Sequence, residues 1–259
     1  MPFHAIELMP GIFHIQDAMG VYMTLLTGSE SALLFDTGFG LWDLNAYVRT
    51  LTDLPLTVFL SHAHFDHVLG ARFFSSASFL KEEQDIAREY TSEKWRRSVL
   101  NDAHDAGIDI DETAFLSSPM PSFTVISEGD IDLGGLTARI IVCPGHTPGS
   151  AVIYVPEREL LLTGDDWNPV TWLFFPEALP VREYRRNVQE LLTLPFRHVI
   201  CSHRGDLYDR CVFEDFLSGL TEEAIASATD TPEGRDMGIS TAAAVLPHEQ
   251  LLIFDRAKA

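Results

Sequence analysis

The chain reads as an α/β protein, and three observations carry that reading. Short apolar runs rich in Val, Ile, Leu and Phe recur between Gly and Pro turn signals, segments with helical spacing lie among them, and several apolar runs end in a His or Asp. In α/β folds the ends of strands are where side chains gather into a site. With 259 residues, 46% of them hydrophobic, the chain can bury a substantial core. One domain over 1–259 is expected, carrying a helical insertion at about 81–120.

In order along the chain, residues 3 to 37 give short strands at Phe3 to Leu8, Ile12 to Asp17, Val21 to Thr27 and Ala32 to Asp36. Pro10-Gly11, Met19-Gly20 and Gly28-Ser29 separate them, which predicts an antiparallel meander. Leu41, Leu44, Val48 and Leu51 have helical spacing, and after Pro55 the strand Thr57 to Leu60 follows. Lys81 to Ala106 is long, charged and nearly free of breakers, with Ile86, Tyr90, Trp95 and Val99 available for one apolar face, so helices are expected there. Strands return from Phe123 to Thr163, helices are predicted over Val181 to Leu192 and Arg210 to Ala226, and Leu251 to Phe254 reads as a closing strand.

The strand at Thr57 to Leu60 runs into Ser61-His62-Ala63-His64-Phe65-Asp66-His67, three imidazoles and a carboxylate in six residues. Imidazole nitrogen and carboxylate oxygen suit zinc, and also iron, nickel or cobalt where the geometry allows. His62 and His64 are one residue apart and point the same way, whereas consecutive Asp66 and His67 can diverge, an arrangement suited to two neighbouring ions. The structural alternative is a His-rich surface loop. Three later segments weigh against it: Arg139 to Cys143 delivers His146 into a Gly/Pro turn, Leu160 to Leu162 is followed by Asp165, and His198 to Cys201 is followed by His203.

The pattern His62-x-His64-x-Asp66-His67, then His146, Asp165 and His203, resembles the metallo-β-lactamase superfamily in motif order, from about Phe3 to His203. The resemblance implies a four-layer αββα sandwich with a dinuclear site at one edge. It implies that His62, His64 and His146 hold one ion, that Asp66, His67 and His203 hold the second, and that Asp165 bridges them. Leu34-Phe35-Asp36-Thr37-Gly38 resembles the family's early strand-end aspartate, which places Asp36 behind a ligand imidazole, accepting its N–H and fixing its tautomer.

Two divalent ions ~3.5–4 Å apart can share a water and bring its pKa towards neutrality, so no separate strong base is needed. Asp66 is the expected catalytic carboxylate, its free oxygen taking a proton beside that water. Zinc is the default, with iron or manganese as alternatives. Small-molecule esters, thioesters or lactones are the expected substrates, as in the glyoxalase II-like thioesterases and lactonases that the chain resembles. The alternatives are a β-lactamase-like or phosphodiester hydrolase, a sulfur or flavodiiron-like redox enzyme, and a metal-binding protein without catalysis. Flavodiiron proteins carry Glu where this chain has His64.

Lys and Arg number 18 against 38 Asp and Glu, a net charge of −20 that offers no stripe for a phosphate backbone, so no nucleic acid partner is expected. No run approaches the ~20 apolar residues of a membrane span, and Met1 to Ala5 lacks the start of an export signal, so a cytoplasmic location with no membrane partner is expected. Cys143, Cys201 and Cys211 suggest no disulfide framework, and the first two read as core packing. Phe39, Trp42, Trp167, Trp172, Phe174 and Phe175 follow ligand-bearing strand ends and are candidates for pocket walls, though large rings more often pack in cores. Asp166 is either an outer-shell group or a turn residue, Tyr22 has no fixed direction, and the oligomeric state, homodimer included, is left open.

Overall fold

The computed structural model describes residues 2–259. Its first half places strands β1 (Phe3–Met9), β2 (Ile12–Asp17), β3 (Tyr22–Thr27), β4 (Ala32–Phe35), β5 (Leu56–Phe59), β6 (Ser76–Leu80) and β7 (Ser122–Ile126) side by side in chain order. The first four form the antiparallel meander read from the sequence, and β4 to β7 run parallel. Helices α1 (Leu44–Val48), α2 (Phe65–Val68), α3 (Gln84–Tyr90), α4 (Glu93–Asp105) and α5 (Glu112–Ser117) fill the connections.

The second half builds a six-stranded sheet from β8 (Gly129–Asp132), β9 (Thr137–Val142), β10 (Ala151–Val155), β11 (Leu160–Leu162), then β13 (His198–Ile200) and β14 (Tyr208–Asp209). Between them come β12 (Val170–Leu173) and α6 (Val181–Glu190), and α7 (Arg210–Gly219) and α8 (Glu222–Ala226) follow. The strands β15 (Thr229–Thr231), β16 (Thr241–Leu246) and β17 (Gln250–Asp255) join β12 in a third sheet of order β12-β17-β16-β15.

Period-2 alternation in the buried strands sets the layers. Leu25, Leu34 and Val58 face α1, α4 and α5, while Leu26, Leu33, Phe35 and Phe59 face Ile140, Ile153, Leu162 and Ile200 of the second sheet. The outer face of that sheet, Val152, Tyr154, Leu161 and Val199, packs on Val181, Tyr184 and Val188 of α6 and on Phe213 and Phe216 of α7. Helix, sheet, sheet, helix is the four-layer αββα sandwich that was expected.

Helix lengths differ from the sequence reading, each for a local reason. The helix expected over Leu41 to Leu51 is only α1, started by the Asp43 side chain, which accepts from Ala46 N–H at 2.9 Å. Lys81 to Ala106 is broken at Thr91-Ser92, where Ser92 is extended (φ −67°, ψ 161°). Arg210 to Ala226 divides after Gly219, and Thr221 caps the second piece by accepting from Ala224 N–H. The closing strand is present, but in the third sheet, which was not foreseen. Among the described residues no helix is long and apolar enough to cross a membrane.

The loop after β4 is pressed onto α2 and the turn that follows it. Thr37 N–H and Oγ–H both donate to His67 O, at 3.0 and 2.6 Å, and Gly70 N–H donates to Gly38 O. A Cβ on Gly70 would lie 1.9 Å from Thr37 O. Gly70→Ala is therefore expected to cost about 3 kcal/mol, the upper part of the usual overpacking range, read as a lower denaturant midpoint at unchanged slope.

Candidate metal centre

Four strand ends converge on one edge of the sandwich. After β5 the chain passes through Ser61 and His62 to His64, whose extended backbone (φ −66°, ψ 156°) caps α2, so Asp66 and His67 lie in that helix's first turn. The His146 loop is brought alongside by two backbone bonds, Ala151 N–H to Ser61 O and Cys143 N–H to Ser150 O. Asp165 follows Gly164, which is left-handed (φ +55°) and lies so close to Ser61 that a Cβ would be 2.8 Å from the serine's own. Ser202 N–H donates to Gly164 O and holds the His203 loop beside Asp165.

All seven side chains expected at the site come together, in two sets. The donor atoms of His62, His64 and His146 lie within 4.8 Å of one another, and so do those of Asp66, His67, Asp165 and His203. Asp165 Oδ2 is 2.9 Å from His203 Nε2 and 3.7 Å from His146 Nε2, so it stands between the sets. Asp66 Oδ2 is 3.5 Å from His67 Nε2 and 3.6 Å from His203 Nε2.

The outward nitrogens of four imidazoles are tied to oxygen acceptors, which fixes the tautomers. His67 Nδ1–H donates to Asp36 Oδ2 at 2.9 Å, the role expected of Asp36. Asp36, left-handed at φ +67°, also accepts from Ser61 N–H and Oγ–H at 2.7 and 2.8 Å. Since Ser61 Oγ spends its proton there, it accepts from His62 Nδ1–H at 2.9 Å. His146 Nδ1–H donates to Trp172 O at 2.7 Å and His64 Nε2–H to Glu177 Oε1 at 2.6 Å.

The inward atoms are consequently left to a cation or a proton. His62 Nε2, His67 Nε2 and Asp165 Oδ1 are buried without a hydrogen-bond partner. His64 Nδ1 and His146 Nε2 face each other at 2.9 Å with both protons committed elsewhere. Facing lone pairs repel, and a cation between them removes the conflict, so this donor set fits divalent metal. Burial and the neighbouring imidazoles hold His62 well below the usual histidine pKa and bring His146 down to about 4, keeping both neutral. Burial disfavours charge on His67 too, but Asp66, Asp165 and Asp36 outweigh it and push that imidazole well above its ordinary value.

Several residues behind the site were not singled out from the sequence. Glu83, fully buried just after β6, accepts from Ala63 N–H at 2.8 Å, Thr147 Oγ–H at 2.6 Å and Gly149 N–H at 2.9 Å, clasping two of the histidine loops. Burial raises Glu177, but its bonds from His64 and Tyr90 win and bring it down to about 2. Asp166 lies behind His146, its Oδ1 accepting from His146 N–H at 3.2 Å, and burial first, with Asp165 and Glu83 adding, pushes its carboxyl well above the usual range.

A cleft of about 220 Å³ opens over the two sets, lined by Phe65, Asn168, Val170, Trp172, Phe175 and Arg204 besides the site residues. Of the six aromatic candidates, Trp172 and Phe175 reach it, whereas Trp167 and Phe174 are core and Phe39 and Trp42 pack against the first sheet. Tyr22 stacks on His14 at 4.6 Å and does not line the cleft. Cys143 and Cys201 are buried, as expected. Arg204 was legible in principle, being next to His203; Glu83 and Glu177 carried no local signal.

Comparison with known proteins agrees with this geometry. The model of the metallo-β-lactamase superfamily matches residues 17–203. The probable metallo-hydrolase YqgX of Bacillus subtilis (strain 168) is 26% identical over 208 residues, covering 76% of this chain and 92% of that protein. Acyl-coenzyme A thioesterase MBLAC2 of Gallus gallus is 27% identical over 213 residues, covering 73% and 75%. The crystal structure of TTHA1623 in a di-iron-bound form shares the fold with a TM-score of 0.57 and 22% identity, over 76% of this chain and 93% of that one. The matched region contains all seven converging side chains and most of the sequence, and the chain belongs to the metallo-β-lactamase superfamily.

Proposed function

We propose that the protein is a cytoplasmic hydrolase of small-molecule thioesters, esters or lactones, dependent on two divalent metal ions. The observation that carries this reading is the set of tied tautomers that leaves His64 Nδ1 and His146 Nε2 facing at 2.9 Å. His62, His64 and His146 would hold one ion, Asp66, His67 and His203 the other, with Asp165 shared. When bound, such ions acidify a water towards neutrality and polarise a carbonyl oxygen. The chain's own residues do the rest. Asp66, on the cleft wall, accepts and returns the proton. Trp172 and Phe175 hold the apolar part of the substrate and keep bulk water out.

The thioesterase MBLAC2 among the relatives supports placing thioesters first, and the metallo-hydrolase YqgX supports hydrolysis in general. Zinc is the default metal, and the di-iron form of TTHA1623 makes iron the alternative to measure. The test is elemental analysis of protein purified without chelators, beside a panel of thioesters, lactones, esters, phosphodiesters and β-lactams. Close to two equivalents of zinc, with thioester or lactone turnover that a chelator abolishes, is the expected result. Metal-free, inactive protein after metal-replete purification would sink the proposal, and iron would replace zinc in it.

A further inference from the structure

Strands β12 and β17 run parallel, with Leu173 opposite Phe254, so the segments that leave them emerge side by side at one end of the third sheet. After β12 the chain turns through Phe175-Pro176-Glu177-Ala178, where Ala178 N–H donates to Phe175 O at 3.0 Å. After β17 it makes the short turn Arg256–Lys258, pinned by Ala257 N–H to Asp255 Oδ1 and by Arg256 N–H to Ser240 O, both at 2.9 Å. Lys258 Nζ then donates to Phe175 O at 3.2 Å, to Pro176 O at 2.7 Å and to Ala178 O at 2.7 Å. An ammonium has three protons, and all three are spent on this one turn. Carbonyl dipoles aimed at a common point repel one another unless a cation sits there.

The same turn carries two contacts to the metal centre. Phe175 packs on His64 with ring centres 4.4 Å apart, and Glu177 Oε1 accepts from His64 Nε2–H at 2.6 Å. The outer partners of the three-histidine set are Ser61 Oγ for His62, Trp172 O for His146 and Glu177 for His64, so among the described residues Glu177 is its one charged acceptor. That set offers three neutral imidazoles, whereas the other contains Asp66 and Asp165. A carboxylate behind a ligand imidazole orients the ring and strengthens it as a donor, an effect of about 10–100-fold in metal affinity. Resting on the two-ion reading above, we propose that Lys258 is a positioning residue of the metal centre: by gathering the three carbonyls it holds the turn in the shape that sets Glu177 against His64, and so tightens the His62, His64 and His146 set for its ion. Lys258 does not line the cleft, and its influence passes through the turn.

The two stepwise zinc dissociation constants, measured on metal-stripped protein by competition with a chromophoric chelator, test it. Glu177→Gln keeps an oxygen for the His64 proton but removes the charge, and should weaken one constant about 10–100-fold while the other changes little. Lys258→Met keeps the length and apolar stem but no donor, and should weaken the same constant severalfold. In the double variant the Lys258 change should add nothing to the loss from Glu177→Gln, because two residues acting through one contact are not additive. Losses that add, equal weakening of both constants, or unchanged affinity in Glu177→Gln overturns the proposal. Folding is checked by urea melts, and should Lys258→Met fail to fold, Lys258→Gln, which keeps an amide NH₂ but no charge, takes its place in the cycle. Wild type that binds two zinc ions yet turns over no thioester, ester or lactone sinks the hydrolase reading alone, and the cycle still decides the role of Lys258. Wild type that binds fewer than two ends both.

Discussion

Asp66→Ala is expected to lower kcat by about 10³-fold, the middle of the range for a positioned proton acceptor, while unfolding shifts by only a few degrees. The small structural cost follows from its setting. Its carboxylate touches His67 and His203 at 3.5 and 3.6 Å, ties no backbone group, and lies in a site that already holds Asp36 and Asp165. Asp66→Asn refines the result, because the amide keeps an oxygen donor but cannot take a proton. The expected pattern is a similar loss of kcat with metal content closer to that of the unmodified protein. Metal should be quantified on the sample used for kinetics; normal kcat at full occupancy in either variant rules out Asp66 as the proton acceptor.

Glu83→Ala should be the most damaging single change outside the metal donors. It leaves Ala63 N–H and Gly149 N–H buried without an acceptor and turns the Thr147 hydroxyl over to Ser150 Oγ, 2.9 Å away. At roughly 1–3 kcal/mol for each orphaned group the loss is about 4 kcal/mol, with activity falling as the His62 and His146 loops separate. Glu83→Gln should cost less, since its carbonyl oxygen can serve Thr147 and Gly149 while only Ala63 meets an amide NH₂. A pH dependence follows. Burial raises the Glu83 carboxyl above its ordinary 4.5, so the folded protein binds the proton more tightly than the unfolded chain. Stability from this group is full below 4.5 and declines as pH rises through the raised value. The gap between wild type and Gln in urea melts should therefore narrow from pH 4 to pH 7; a gap that widens would contradict it.

How much of this was legible in the sequence depends on how local the cause was. The seven converging side chains were readable because each follows a short apolar run that could only be a strand, and strand ends in α/β folds point to one edge. Asp36 was readable for the same reason. Glu83 was not: Lys81-Glu82-Glu83 looks like the solvated start of a charged helix, and its partners Thr147 and Gly149 lie 64 and 66 residues away. Glu177 likewise meets His64 from 113 residues off. The helix at Lys81 to Ala106 was overextended because Thr91 and Ser92 are only mild breakers, and tertiary contacts such as Arg96 with Thr91 O and Ser118 O fix the bend. The third sheet escaped because Val170 to Leu173 finds its partner strand some eighty residues later.

That last pairing gives the protein an order of assembly. Strand β12, which carries Val170 and Trp172 on the cleft wall, is held in parallel register by β17, from Val170 opposite Leu251 to Leu173 opposite Phe254. Contacts of such long sequence separation form slowly, because the loop must close before the pairing rewards it. On a ribosome the loops of the His/Asp cluster, up to His203, emerge first, and the wall that covers them cannot lock until residues 250–255 have been made. A nascent chain can thus gather most of these side chains early, while the last strand to be made sets both the cleft wall and the Trp172 carbonyl that fixes His146.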